Sequence, residues 1–138
     1  AFAAQGKGHI VTNMGLESGE VPYTTFMMRK DTIENEPGFA AAFVRAIYRA
    51  QKWVWAAGDE EVAYAMQSYF PDTDIATLSA VAKSYRATDS WTRVPTMTED
   101  AFTRLQDILD GAGELAARIE LSELVDNSFG EAAISEIG

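Results

Sequence analysis

Residues 15–31, GLESGEVPYTTFMMRKD, contain the segment that decides the predicted fold class. Along residues 21–28 both faces of the alternating pattern are largely apolar, which is typical of a strand buried on both sides. Pro22 cannot donate a backbone hydrogen bond, so it belongs at the start or the edge of such a strand. The charged residues 29–31 end the predicted strand.

A second short strand is predicted at residues 9–12, which lie between Gly8 and Gly15. Two strands make at best a marginal sheet, and a strand that is apolar on both faces needs neighbours and two covering layers. The sequence supplies no such neighbours. We therefore expect the chain to be part of a larger α/β protein, or a second copy to complete its sheet.

The clearest predicted element is a long helix at residues 37–57, which begins with Pro37 in its first turn. Seven apolar side chains recur at helical spacing on one of its faces: Phe39, Phe43, Ala46, Ile47, Ala50, Trp53 and Val54. Tyr48 and Trp55 lie roughly opposite this stripe. Two apolar faces predict a helix that lies between two layers or is covered by another chain.

Further helices are predicted from their capping residues. Asp31 caps a helical turn at residues 32–35. Counting the long helix as the first, the second helix is capped by Asp59 and the third by Asp72 or Thr73. Thr96 with Glu99 caps the fourth. The fourth helix is expected to end at Gly111 or Gly113. Residues 121–125 predict one helical turn, and residues 129–137 predict a short terminal helix.

Composition limits the function classes. The chain has 138 residues, enough for one domain, and a net charge of −10, which argues against DNA or RNA as the main partner. It has no cysteine and one histidine, so thiolate chemistry is excluded and His9 is the only histidine for a metal site or a catalytic triad. Phosphate-binding glycine loops and nucleophile elbows are absent. The sequence thus predicts no catalytic residue, no metal site and no cofactor.

Residues 1–11 lack the basic and apolar regions of a signal peptide, and no apolar run approaches the roughly 20 residues that span a bilayer.

Two stretches could contact a ligand. The corner formed by Glu17, Ser18, Gly19 and Glu20 could present carboxylates and a hydroxyl to a small molecule, or it could be a solvated loop. Trp91 lies in a polar loop, where its indole could stack on a ligand or could fill the junction between two helices.

Six stretches, in order along the chain, resemble the last third of NMT1/THI5-like substrate-binding proteins. They are EVPYTTFMMRKD at 20–31, IENEP at 33–37, YFPDTD at 69–74, YRATDSW at 85–91, LQDI at 105–108 and LVDNSF at 124–129. The resemblance extends over nearly the whole chain. Members of this family are the binding components of ABC importers for nitrate, sulfonates, taurine and pyrimidine precursors of thiamine.

The resemblance implies a helix-dominated α/β chain that is a C-terminal fragment of a type II periplasmic-binding-protein fold. Such a fragment would contain two short strands and four or more helices, and residues 1–138 would form a single incomplete lobe. Residues 1–22 would be the hinge segment that returns from the second lobe, and residues 23–138 the C-terminal part of the first lobe.

The resemblance also implies a function. The protein would be the solute-binding component of an ABC importer and would hold a small molecule in a cleft between two lobes. The residues expected to bind it are Glu17, Ser18, Glu20, Tyr23 and Trp91. Its partners would be that ligand and the membrane permease. Its location would be periplasmic or extracellular, and it would associate with the membrane by binding the transporter.

Three alternatives stay open at this point. A branch of the same family synthesises the thiamine pyrimidine, so an enzyme is one. The second apolar face of the long helix allows a helical protein-interaction module. The incomplete sheet allows a homo-oligomer.

Overall fold

The structure is a computed structural model that describes residues 6–9 and 11–138. Within these residues the regular secondary structure is helical, and no strand is present. The helices are α1 (Met14–Glu17), α2 (Lys30–Asn35), α3 (Pro37–Ala56), α4 (Asp59–Gln67), α5 (Ile75–Ala87), α6 (Glu99–Gly111), α7 (Leu121–Leu124) and α8 (Ser128–Ile137).

The predicted α/β class with two short strands is therefore wrong for the described chain. Residues 21–28 run without a helix or a strand, and they make no backbone–backbone hydrogen bond to another described residue. The predicted strand at 9–12 fails as well, although Ile10 lies outside the described residues. A strand requires a neighbour to accept and donate its ladder of hydrogen bonds, and the described chain offers none. The prediction that the chain is a fragment of a type II periplasmic-binding-protein fold included these two strands, so it is wrong as well.

A short helix, α1, precedes this segment, and Glu17 is the one residue of the predicted corner that belongs to it. Asn13 accepts a hydrogen bond from the backbone N–H of Gly15 at 2.9 Å and so caps α1. Gly19 has a φ of 73°, a left-handed conformation that glycine adopts without a steric penalty. The chain turns there and continues into the extended residues 21–28.

The long predicted helix is confirmed as α3, but its buried face is not the predicted one. Ala40 and Tyr48 are buried, whereas Phe39, Ala46 and Ala50 of the predicted stripe are exposed. α3 packs against α8, and an ion pair between Arg45 and Glu136 at 3.6 Å lies at this contact. The α8 helix thus covers the side of α3 that carries Tyr48, rather than the predicted seven-residue stripe.

The helices α4 and α5 form an antiparallel hairpin with a dense contact between them. Val62 and Ala63 of α4 are buried, as are Leu78 and Ala82 of α5. Of these four residues, Ala63 and Ala82 have small side chains, which let the two helix axes approach closely. The hairpin begins directly after α3, so its position is fixed by the short connection through Ala57 and Gly58.

The loop before α6 is fixed to the loop before α8 by one side-chain amide. Asn127 accepts a hydrogen bond from the N–H of Met97 at 3.0 Å and donates one to the Met97 carbonyl at 2.9 Å. Gly130, in the first turn of α8, lies directly against Pro95. These contacts hold the far end of the loop that follows α5.

In α6, the buried amide of Gln106 pairs with both backbone groups of Ile119. Within residues 6–9 and 11–138, no helix is long and apolar enough to cross a membrane.

Replacing Gly130 with alanine should destabilise the protein by about 2 kcal/mol, because overpacking a close contact typically costs this much. A Cβ atom at this position would collide with the carbonyl oxygen of Pro95 and lie 2.8 Å from Thr96 Cγ2. The matched control is Gly38→Ala in α3, where a Cβ meets nothing within 4 Å. We expect this control to leave stability unchanged or to raise it by about 0.5 kcal/mol. Urea denaturation of both variants measures the difference, and equal unfolding midpoints would contradict the described packing of Gly130.

Stability should also depend on the ionisation of Asp74, the N-cap of α5. Its carboxylate accepts hydrogen bonds from the backbone N–H and the hydroxyl of Thr77, and these lower the pKa of Asp74 below 3.8. Because the folded-state pKa is lowered, the stabilisation is present above about pH 3.8 and is lost as the pH falls through the folded-state value. Asp74→Asn should therefore be less stable than the unaltered chain at pH 7, with the difference shrinking in acid. Asp72→Asn is the control, since Asp72 accepts no side-chain hydrogen bond from a described residue. An Asp74→Asn difference that stays constant from pH 7 to pH 3 would contradict the prediction.

Candidate functional site

An apolar cavity of about 530 Å³ lies between the end of α3, the α4–α5 hairpin and the loop after α5. Its lining residues are largely apolar, and four of them are aromatic: Trp53, Val54, Val62, Met66, Phe70, Thr73, Leu78, Val81, Tyr85 and Trp91. Cavities that bind small molecules usually measure about 300–1,000 Å³ and are mostly apolar, with a few polar groups. This cavity is therefore the candidate functional site.

Trp91 forms one wall of the cavity and packs edge-to-face on Tyr85. The centroids of the two rings are 5.2 Å apart, with an interplanar angle of 62°. This geometry is favourable for aromatic pairs, because the positive edge of one ring meets the negative face of the other. Trp91 also packs against the buried cluster of Ala57, Val62 and Ala82. Trp91 therefore packs at a helix junction and faces the cavity at the same time.

A compact turn after α5 positions Trp91. Asp89 has a φ of 50°, in the left-handed region, and the N–H of Ser90 donates to the Tyr85 carbonyl at 2.9 Å. The hydroxyl of Thr88 donates to the Ser84 carbonyl at 3.0 Å and lies 2.7 Å from the Ser90 hydroxyl. Asp tolerates the left-handed conformation better than most residues. The turn thus directs the chain back over α5 just before the tryptophan.

The indole of Trp55 holds the same loop from the other side. Trp55 Nε1 donates a hydrogen bond to the Trp91 carbonyl at 3.1 Å. The Arg93 guanidinium stacks over the Trp55 ring, with Cζ 3.6 Å from the ring centroid. A stacked guanidinium of this kind is a cation–π interaction. Trp55 therefore joins α3 to two residues of the loop.

Arg86 fixes the hairpin that forms the opposite wall. Its guanidinium donates to the Asp59 carboxylate at 2.7 Å and to the Ala57 carbonyl at 2.7 Å. Both atoms lie at the α3–α4 junction, while Arg86 is in α5. The pair is partly buried, so it is screened less by salt than a pair on the surface.

A smaller recess of about 330 Å³ is lined by Lys52, Trp55, Ala56 and Arg93. Two cations lie at this recess, although the chain as a whole carries −10. Arg93 is also 3.5 Å from the Asp89 carboxylate, which neutralises part of its charge.

The predicted ligand residues fall into two groups. Trp91 lines the cavity, but none of Glu17, Ser18, Glu20 and Tyr23 does. Glu17 ends α1, and the Glu20 carbonyl accepts a hydrogen bond from Arg104 Nη1 at 3.0 Å. The Tyr23 side chain is 98% exposed. A contact of these four residues with a ligand stays a prediction.

Sequence reasoning missed three aromatic members of the cavity. Trp53 belongs to the predicted apolar stripe of the long helix, and the sequence alone assigns no site role to Phe70 or Tyr85. The useful signal was the short sequence distance between Tyr85 and Trp91, which lets a turn fold one ring onto the other. Among the residues that the structure describes, histidine and carboxylate side chains form no group that could hold a metal ion.

A comparison with curated proteins finds a relative in Bacillus subtilis (strain 168) that is named "Putative binding protein YtlA". The two sequences are 36% identical over 135 residues, which make up 98% of this chain and 40% of the relative. The chain therefore spans about two fifths of the relative's length. No protein-family model and no solved structure matches the chain. The resemblance stated above is thus supported as far as a binding protein, and the NMT1/THI5-like assignment stays a prediction.

Replacing Trp55 with phenylalanine should destabilise the protein by about 1 kcal/mol. The change removes the donor to the Trp91 carbonyl, and a lost hydrogen bond to a partly buried acceptor typically costs this amount. Trp53→Phe is the control, since Trp53 is partly exposed and its indole N–H makes no hydrogen bond to a described residue. Urea denaturation compares the two variants, and a control that is destabilised as much as Trp55→Phe would refute the role of this hydrogen bond.

Proposed function

We propose that the chain belongs to the solute-binding component of an ABC importer, which binds a small molecule and passes it to a membrane permease. The observation that carries the proposal is the 36% identity, along 98% of the chain, to a protein named as a binding protein. That name supports a binding role and is compatible with a protein that catalyses no reaction. The importer, the permease and a periplasmic or extracellular location are parts of the proposal.

The cavity supports a small ligand with a flat, uncharged ring. Its volume of about 530 Å³ suits a molecule of one or two rings, and its four aromatic side chains offer flat surfaces for stacking. The polar groups at its wall are few, among them the Thr73 and Tyr85 hydroxyls. A buried anion needs charged or hydrogen-bonding partners to offset the loss of its hydration.

These properties rank the four ligand classes that the family resemblance suggests. Nitrate, sulfonates and taurine carry an anionic group that this apolar wall would leave without partners. A pyrimidine precursor of thiamine is planar and neutral, so it can stack between aromatic rings and use one or two hydroxyls. We therefore propose a pyrimidine as the ligand, with Trp91 as the stacking residue.

Isothermal titration calorimetry on the full-length gene product tests the proposal with an aminopyrimidine precursor of thiamine, taurine, an alkanesulfonate and nitrate. We expect the pyrimidine to bind and Trp91→Ala to weaken its binding roughly ten- to hundred-fold. Stacking of one base on an aromatic side chain contributes about 1–3 kcal/mol, which gives this range.

The matched control is Tyr69→Ala, which removes an aromatic ring that is 80% exposed and lies outside the cavity lining. We expect this variant to bind as the unaltered protein does. No heat with any of the four ligands would refute the importer proposal. Binding that Trp91→Ala leaves unchanged would place the ligand outside the cavity.

A further inference from the structure

Exposed apolar side chains, here together called the docking face, occur on residues 21–28 and along one side of α3. It combines exposed and partly buried apolar side chains from both segments: Tyr23, Phe26, Met27, Phe39, Phe43, Ala46, Ala50 and Trp53. The exposed fractions are 98% for Tyr23, 72% for Phe26, 91% for Met27 and 55% for Phe39. Large apolar side chains that are exposed close together on a protein surface usually mark an interaction site.

One aromatic contact joins the two halves of the docking face. Phe26 packs edge-to-face on Phe43, with ring centroids 5.2 Å apart and an interplanar angle of 79°. Upstream of it, Arg104 binds the Glu20 carbonyl, and this bond fixes the start of the extended segment to α6. Since the segment is held at both places, the exposure of Tyr23 and Met27 belongs to the folded chain.

The α3 half of the docking face is its more regular apolar stripe. Phe39, Phe43, Ala46, Ala50 and Trp53 alternate at spacings of four and three residues, as expected for a helix face that packs against a partner. The α8 helix covers the opposite side of α3. Within the described chain, Phe39, Ala46 and Ala50 of this stripe therefore remain exposed.

We propose that the docking face is covered by a further polypeptide, equivalent to the part of the Bacillus subtilis relative that lies outside the matched residues. The match takes up 40% of the relative, so the larger part of that protein has no counterpart among these 138 residues. Residues 21–28 also present backbone N–H and C=O groups without backbone partners among the described residues. A covering polypeptide can satisfy these groups with its own backbone and bury the adjacent apolar side chains.

Charge argues against two other occupants. A second copy would also carry a net charge of −10, and repulsion between two such chains opposes close association. The negative surface of an anionic membrane repels the chain for the same reason. The docking face itself is uncharged along residues 21–28, so a less acidic polypeptide meets no such penalty.

The chain has no cysteine, so single introduced thiols can report on coverage of the docking face. Tyr23→Cys and Met27→Cys place a thiol on it, and Tyr69→Cys makes the same change as the first variant at an exposed tyrosine of the α4–α5 turn. Each variant is made in the full-length gene product and in residues 1–138 alone. The rate of maleimide labelling is then measured over a series of protein concentrations, with circular dichroism as the check on folding.

We expect labelling at positions 23 and 27 to be at least about ten-fold slower than at position 69 in the full-length product. In residues 1–138 alone, the three positions should react at similar rates. Equal rates in the full-length product would overturn the proposal. Protection that appears in both forms and grows with protein concentration would also overturn it, because a second copy would then be the occupant. This test measures no small-molecule ligand, so its result is independent of the proposed function.

Discussion

The arrangement around the cavity depends on the two hydrogen bonds of Arg86. This side chain comes from α5, yet both of its bonds end at the junction where α3 passes into α4. Apolar packing reinforces them, since Ala57, Val62 and Ala82 form a buried cluster in the same region and Met66 and Trp91 pack against it. Removing one partner of a partly buried ion pair leaves the other charge without compensation, which usually costs more than the pair contributes. Arg86 thus fixes α5 against the α3–α4 junction, and the turn at Asp89 then leads from the end of α5 to Trp91.

Much of the helical content could be predicted from the sequence, because apolar periodicity and capping residues are local signals. The boundaries were less accurate. For α5 the predicted cap was Asp72 or Thr73, whereas the structure has Asp74. For α6 the predicted cap was Thr96, whereas the structure has Thr98. Each cap depends on backbone geometry, which the spacing of residue types does not determine within one or two positions.

The errors in fold class and packing have a different origin. An apolar alternating segment such as residues 21–28 becomes a strand only when a neighbour satisfies its backbone, and sequence periodicity does not reveal neighbours. The prediction of which face of α3 is buried was wrong for a similar reason, because the pattern identifies an apolar stripe but not the element that covers it. At the site, Trp91 could be proposed from the sequence, whereas Trp53, Phe70 and Tyr85 come together only through the tertiary fold.

The core has a consequence for the thermodynamics of unfolding. Among the described residues, most of the buried hydrophobic side chains are alanines, with Val62, Leu78, Phe102 and Tyr48 as the larger members. Alanine removes little apolar area from water, and the heat-capacity change of unfolding is proportional to that area. The free energy of unfolding of this chain should therefore vary only gently with temperature, with a broad calorimetric transition. Its denaturant dependence should be shallow for a chain of 138 residues, since that slope scales with the same exposed area.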